Sequence, residues 1–214
     1  MSGRIRVWDW PTRLFHWLIV LIVPAQWWTA RQEMMDFHII TGQVALGLII
    51  FRVIWGLVGS ETARFARFLK GPRKILDYLS GGARRLVGHN PLGGWSVAAM
   101  LLLLAVQVGL GLFATDEDGI YSGPLSHLVT FESATRLAEN HETVFKILLG
   151  FIGLHLLAVG WYAFVRRDVL VAPMITGMRQ AEAGVGGIAP PSPRRVALVA
   201  AIAAGLTLLI VKAF

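Results

Sequence analysis

The chain has 214 residues, 55% of them hydrophobic and 15% charged, with a mean hydropathy of +0.61 and no cysteine. This composition belongs to an integral membrane protein rather than a soluble domain, and the lack of cysteine excludes disulfides, thiolate iron–sulfur ligation and covalent c-type haem attachment. The net charge of +7 points to a membrane surface and not to nucleic acid, because the basic residues cluster between apolar runs instead of forming a domain.

Five apolar runs follow in chain order, at about 14–30, 38–58, 95–113, 142–165 and 196–213, each near the length of about 17–25 residues that a spanning helix needs. The first starts after Asp9 and Pro11, residues that suit a helix start, and ends in Trp27 and Trp28, which suit a membrane interface. A cleaved signal peptide is the rival reading; the bulky flank argues against it, and cleavage would remove His16. The second run opens at His38 and the fourth at His141. Between runs four and five, residues 171–193 read as a Gly/Pro-rich linker. The fifth run holds no His, Asp or Glu and is rich in Ala, which suits a packing or partner-binding helix. The predicted fold is an all-α membrane protein: an up-and-down four-helix transmembrane bundle over residues 1–170, the cytoplasmic linker 171–193 and an additional transmembrane helix at 194–214.

Lys and Arg number three in residues 1–13, seven in 59–94 and five in 166–195, against Arg31 and Arg136 alone in the alternate segments. The positive-inside rule then puts the N-terminus in the cytoplasm and the C-terminus in the periplasm of a bacterial inner membrane. The 114–141 loop, on the outer side, carries Asp116, Glu117, Asp118, Glu132 and Glu139. A merely solvated loop is its first reading, and docking of a basic soluble partner the second.

His141 and His155 are 14 residues apart, nearly four turns, so their rings share a face at a separation of about 21 Å. Imidazoles in the bilayer are costly unless they serve an ion path, a relay or a metal centre. With orientation assigned, His16 matches His155 in the cytoplasmic half and His38 matches His141 at the outer surface. Axial ligation of haem iron needs two donors at one level on facing helices, and the pairs His16–His155 and His38–His141 meet that condition twice. Each histidine taken alone reads equally well as a hydrogen-bond donor to a neighbouring helix. Zinc is the competing metal, but it gathers three or four ligands around one point. Gly42, Gly47, Gly109, Gly111, Gly150 and Gly153 leave room for a flat cofactor or for close helix packing. Arg52, 14 residues after His38, and Arg13, one turn before His16, are placed to pair with haem propionates or to snorkel to lipid phosphate. His89 and Asn90 sit at the cytoplasmic mouth of the third span, where they suit a propionate, a quinone head group or a helix cap. His127 reads as a surface or partner-facing residue.

The words VWDWPTRLFHW, FHIITGQVALGLIIFRVIWGLVGSETARF and GHNPLGGWSVAAMLLLLAVQVGLGLF, followed by the His141/His155 pair, resemble the prokaryotic cytochrome b561 and b-type hydrogenase-cytochrome group from about residue 6 to Met178. The resemblance implies a four-helix core with two non-covalent b haems, ligation by His16, His38, His141 and His155, and electron exchange with quinone. The fifth span departs from that pattern and suits a partner subunit or a second copy of the chain. The function expected is transmembrane electron transfer between a periplasmic redox partner, a c-type cytochrome or a catalytic subunit, and the quinone pool, with a quinone oxidoreductase activity left open. The alternatives are a membrane anchor of a hydrogenase or dehydrogenase, a histidine-lined transporter or proton pathway, and an assembly subunit without a chromophore. No span interior carries the Asp or Glu that a proton relay would want.

Overall fold

The computed structural model describes residues 3–80, 88–181 and 185–212. Arg84 and Arg85 of the basic 59–94 segment lie outside them. Five long helices carry the chain: α1 (Trp10–Arg31), α2 (Met35–Val58), α5 (Pro91–Phe113), α6 (Phe131–Phe164) and α8 (Pro193–Lys212). The short helices α3 (Phe65–Phe68) and α4 (Pro72–Leu79) join α2 to α5, and α7 (Val171–Thr176) follows α6. Side-chain caps set several starts. Asp9 accepts from the Thr12 amide at 2.9 Å, Asn90 from the Gly93 amide at 2.7 Å, and Thr130 from the Ser133 amide at 3.3 Å. The capping reading of Asn90 therefore holds.

Four of these helices, α2, α5, α6 and α8, are long and apolar enough to cross a membrane. Only 6–22% of their apolar stretches is buried within the chain, and Leu102, Leu157 and Leu209 point outward. Apolar faces so exposed belong against lipid. The first predicted span lies within α1, whose length suffices but whose His16, Gln26 and three tryptophans beyond Trp10 dilute its apolar character.

In three places the structure departs from expectation. The chain is not wholly helical, because β1 (Gly3–Arg6) pairs antiparallel with β2 (Met178–Ala181), Arg6 opposite Met178. Residues 171–193 are therefore not a simple linker: α7 and β2 occupy their first half, and Ile188 returns to donate to the Arg6 carbonyl at 2.9 Å. Gly177, with φ of 80°, ends α7 in the left-handed region and offers its carbonyl to the amides of Val7 and Trp8. Third, His141 does not open its helix. α6 begins ten residues earlier, where Thr130 caps it and Glu132 pairs with Arg136 one turn on.

α1 packs on α2, α2 on α5 and α8, and α5 on α6. The last helix is thus part of the packed body. Val196 and Val199 share a buried cluster with Trp55 and Ala63, and a Cβ on Gly47 would lie 3.1 Å from Thr207 Oγ1. Gly47 makes room for a helix and not for a cofactor. At the N-terminal end of the bundle, Gly56 faces Phe65, which in turn lies under the Arg52 guanidinium at 5.2 Å. A Cβ on Gly56 would fall 2.1 Å from the Phe65 ring. Gly56→Ala should therefore cost about 1–3 kcal/mol, read as a lower midpoint of thermal unfolding in detergent; an unchanged midpoint would refute this packing.

Candidate haem site

The six sequence-selected residues fall at two levels of the bundle. At the far end, His38 of α2 and His141 of α6 face each other with ring centroids 6.1 Å apart and planes at 73°. Both rings are anchored by main-chain carbonyls: His38 Nδ1 donates to Gln26 O of α1 at 3.1 Å, and His141 Nδ1 donates to Gln107 O of α5 at 2.8 Å. A carbonyl can only accept, so each Nδ1 carries the proton and each Nε2 keeps a free lone pair. Gly111 clears the space beside His141, since a Cβ there would lie 3.0 Å from the ring.

At the N-terminal end, His16 of α1 and His155 of α6 lie within electrostatic reach of each other, although α1 and α6 are not among the closely packed helix pairs. His89 joins them, its ring 4.5 Å from that of Trp8 and 5.0 Å from that of Phe68. Burial pushes the His89 imidazole down to about 3, with the charges of Arg52, His155 and His16 adding to the effect, so it is neutral at physiological pH. Arg52 is buried and donates to the Ala63 carbonyl at 3.3 Å. Arg13 donates to the Ile175 carbonyl at 2.5 Å. Among the described residues, the buried His16 Nδ1, His89 Nδ1 and Arg13 Nε have no hydrogen-bond partner. His127 stands apart, on a single 3₁₀ turn, Ser126–Leu128.

A family model described as prokaryotic cytochrome b561 matches residues 7–177. The chain belongs to the prokaryotic cytochrome b561 family. As a cytochrome b561-family protein it is a multi-pass membrane protein of electron transport that carries b-type haem. It is also 23% identical, over 211 residues covering 82% of this chain and 88% of the relative, to a probable Ni/Fe-hydrogenase B-type cytochrome subunit from Azotobacter chroococcum mcd 1. No solved structure matches it.

The residues present fit the cofactor that membership in the cytochrome b561 family implies. Two imidazoles sharing one metal, with each nitrogen about 2 Å from it and each ring centre about 1 Å beyond the nitrogen, have centroids about 6 Å apart; the far pair stands at 6.1 Å. Metal-binding histidines characteristically give their other N–H to a carbonyl or carboxylate, as both of these do. The near pair fits in a different way: the buried Arg13 Nε–H lacks an acceptor, and a propionate carboxylate is an acceptor of the type it lacks.

Several contributors have roles beyond those their place in the sequence announces. Asp9 looked like a helix start and is also the acceptor that joins α1 to the end of α2, through Trp55 Nε1 at 2.8 Å and Ser60 Oγ at 2.5 Å. Tyr162 of α6 accepts from Asn90 Nδ2 at 2.7 Å and hydrogen-bonds Tyr78 of α4, tying three helices near the His89 turn. Gln26 and Gln107 are polar residues in otherwise apolar helices, and that cost in a membrane was the clue that could have found them.

Proposed function

We propose that the chain passes electrons across the bacterial inner membrane through two stacked b haems, between a periplasmic redox partner and the quinone pool. His38 and His141 hold the outer haem; His16 and His155 hold the inner one. The observation that carries this reading is the far pair, with its 6.1 Å ring separation and both Nδ1 atoms committed to carbonyls. Haem iron supplies one-electron exchange when bound. The chain's own part would be to supply two imidazoles to each haem, a ligand set suited to electron transfer rather than oxygen binding, and to hold the rings against rotation. Arg13 and Arg52 lie at the inner level, Arg13 with its unpartnered Nε, as partners for propionate charge.

In this reading α1, α2, α5, α6 and α8 all span the membrane. α1, at 22 residues, reaches about 33 Å, enough for the hydrocarbon core. Gathering of the basic segments at the N-terminal end of the bundle supports a cytoplasmic N-terminus and a periplasmic C-terminus.

The test is a haem count. Purified in detergent from haem-replete cells, the chain should give two b haems by pyridine haemochrome, with low-spin bis-imidazole bands in the reduced-minus-oxidised spectrum. One haem per chain would remove one of the pairs, and none would remove both. A second reading, membrane anchor of a hydrogenase or other catalytic subunit, is favoured by what the Azotobacter relative is named. It shares the haem chemistry and differs in partner: a large catalytic subunit should then co-purify in mild detergent, whereas a free-standing quinone oxidoreductase should reduce or oxidise quinone alone.

A further inference from the structure

Gln26 holds His38 from both sides. Its side-chain amide donates to the His38 main-chain carbonyl at 3.0 Å and to Thr41 Oγ1 at 3.0 Å, while its own main-chain carbonyl accepts from His38 Nδ1 at 3.1 Å. Thr29 closes the same turn: its hydroxyl lies 3.3 Å from His38 Nδ1 and donates to the carbonyls of Ala25 and Gln26 at 2.9 and 3.1 Å. A primary amide in a membrane helix is costly unless its donors are satisfied, and here they are satisfied by the Thr41 hydroxyl and by the main-chain carbonyl of His38, the residue that the proposed function makes a ligand. Burial of a histidine does not by itself demand such a clamp. His16, on the same helix, has a buried Nδ1 with no partner among the described residues.

We infer that Gln26 is a positioning residue for the outer haem, fixing the His38 ring in the orientation and hydrogen-bonded state that set that haem's reduction potential. The inference rests on His38 being a ligand. An imidazole whose Nδ1–H is given to a carbonyl is a more basic ligand, and a more basic ligand favours the ferric state. Gln26→Leu keeps the carbonyl that accepts from Nδ1 but loses the amide ties to the α2 backbone at His38 and to Thr41, so the ring should shift against its acceptor, that bond should weaken and the potential of the outer haem alone should rise. It should also change the angle between the two imidazole planes, now 73°, which the low-spin EPR g-values report.

The experiment compares Gln26→Leu, Thr41→Val and His38→Ala in the full chain, by haem count, potentiometric titration and EPR. Gln26→Leu should keep both haems, shift one wave of the titration upward and move the EPR line of that haem. Thr41→Val removes the other recipient of the amide, together with the hydroxyl's own 3.3 Å bond to the His38 carbonyl, but keeps the contacts of Gln26 to His38, and should leave wave and line in place. If His38→Ala retains both haems, the ligand assignment fails and this inference with it. If His38→Ala loses one haem but Gln26→Leu leaves its wave and line unmoved, or Thr41→Val moves them equally, Gln26 is an interhelical tie and only the positioning role is overturned.

Discussion

His38→Ala and His141→Ala should each remove one haem and leave the other, so that about half of the reduced-minus-oxidised b-type absorbance disappears. His16→Ala and His155→Ala should remove the complementary half. The reason is separation. Along α6 the two levels are 14 residues, about 21 Å, apart, and the anchors of the far pair, the carbonyls of Gln26 and Gln107, are not shared with the near pair. Residues that serve one iron act as a unit, so the double variant His38→Ala/His141→Ala should lose no more than either single variant. A double variant taking one residue from each level should lose everything. The measurement is pyridine haemochrome per chain with a potentiometric titration, since each level should contribute its own wave. Loss of both haems from every single variant would mean that the levels fold together, and full retention in all four would sink the ligand assignment.

Much of this architecture can be read from the chain because its signals are local. Apolar runs of spanning length give α1, α2, α5 and α8 to within four residues at each end, and Asn90 three residues before Gly93 gives the start of α5. The histidine pairs are legible for a different reason: a fixed rise per residue turns spacing into depth, and the structure brings His38 to His141 and places His16 within reach of His155. What stayed hidden depends on partners distant in sequence. The β1–β2 ribbon joins residues more than 170 apart, and neither GRIR nor MRQA carries a pattern strong enough to announce it. The early start of α6 was masked by polarity, because a helix standing clear of the membrane needs no apolar stripe and is held by its cap and by pairs such as Glu132–Arg136. Gln26 and Gln107 escaped because the atoms that meet the histidines are main-chain carbonyls, which every residue possesses. Gly47 is open to two readings in the sequence: a small residue in a membrane helix makes room, and only the neighbour, here Thr207, says for what.

Asp9→Ala should be the most damaging single substitution outside the histidines. The side chain is 1% exposed and each of its oxygens is used: Oδ1 takes the Thr12 amide, and Oδ2 takes Trp55 Nε1 and Ser60 Oγ. Alanine forfeits the N-cap, at about 1 kcal/mol, and strands the indole N–H of a fully buried Trp55, at about 1–3 kcal/mol. It also removes the negative charge nearest the buried Arg52, so a loss of at least about 3 kcal/mol is expected. Asparagine should not rescue fully, because its amide would set a donor against the donors that the carboxylate now accepts. Ser60→Ala, which removes one of the three bonds and strands no buried partner, should cost about 1 kcal/mol. The order of failure is the sharper readout. Asp9 lies two turns before His16 on one face of α1, and Trp55 lies one turn beyond Arg52, so the damage falls on the level of His16 and Arg52 while the Gln26 and Gln107 anchors of His38 and His141 stay intact. Heating Asp9→Asn in detergent should therefore release the inner haem at a temperature where the outer one is still bound. Simultaneous release of both, or a wild-type unfolding midpoint for Asp9→Ala, would show that Asp9 does not hold this end of the bundle together.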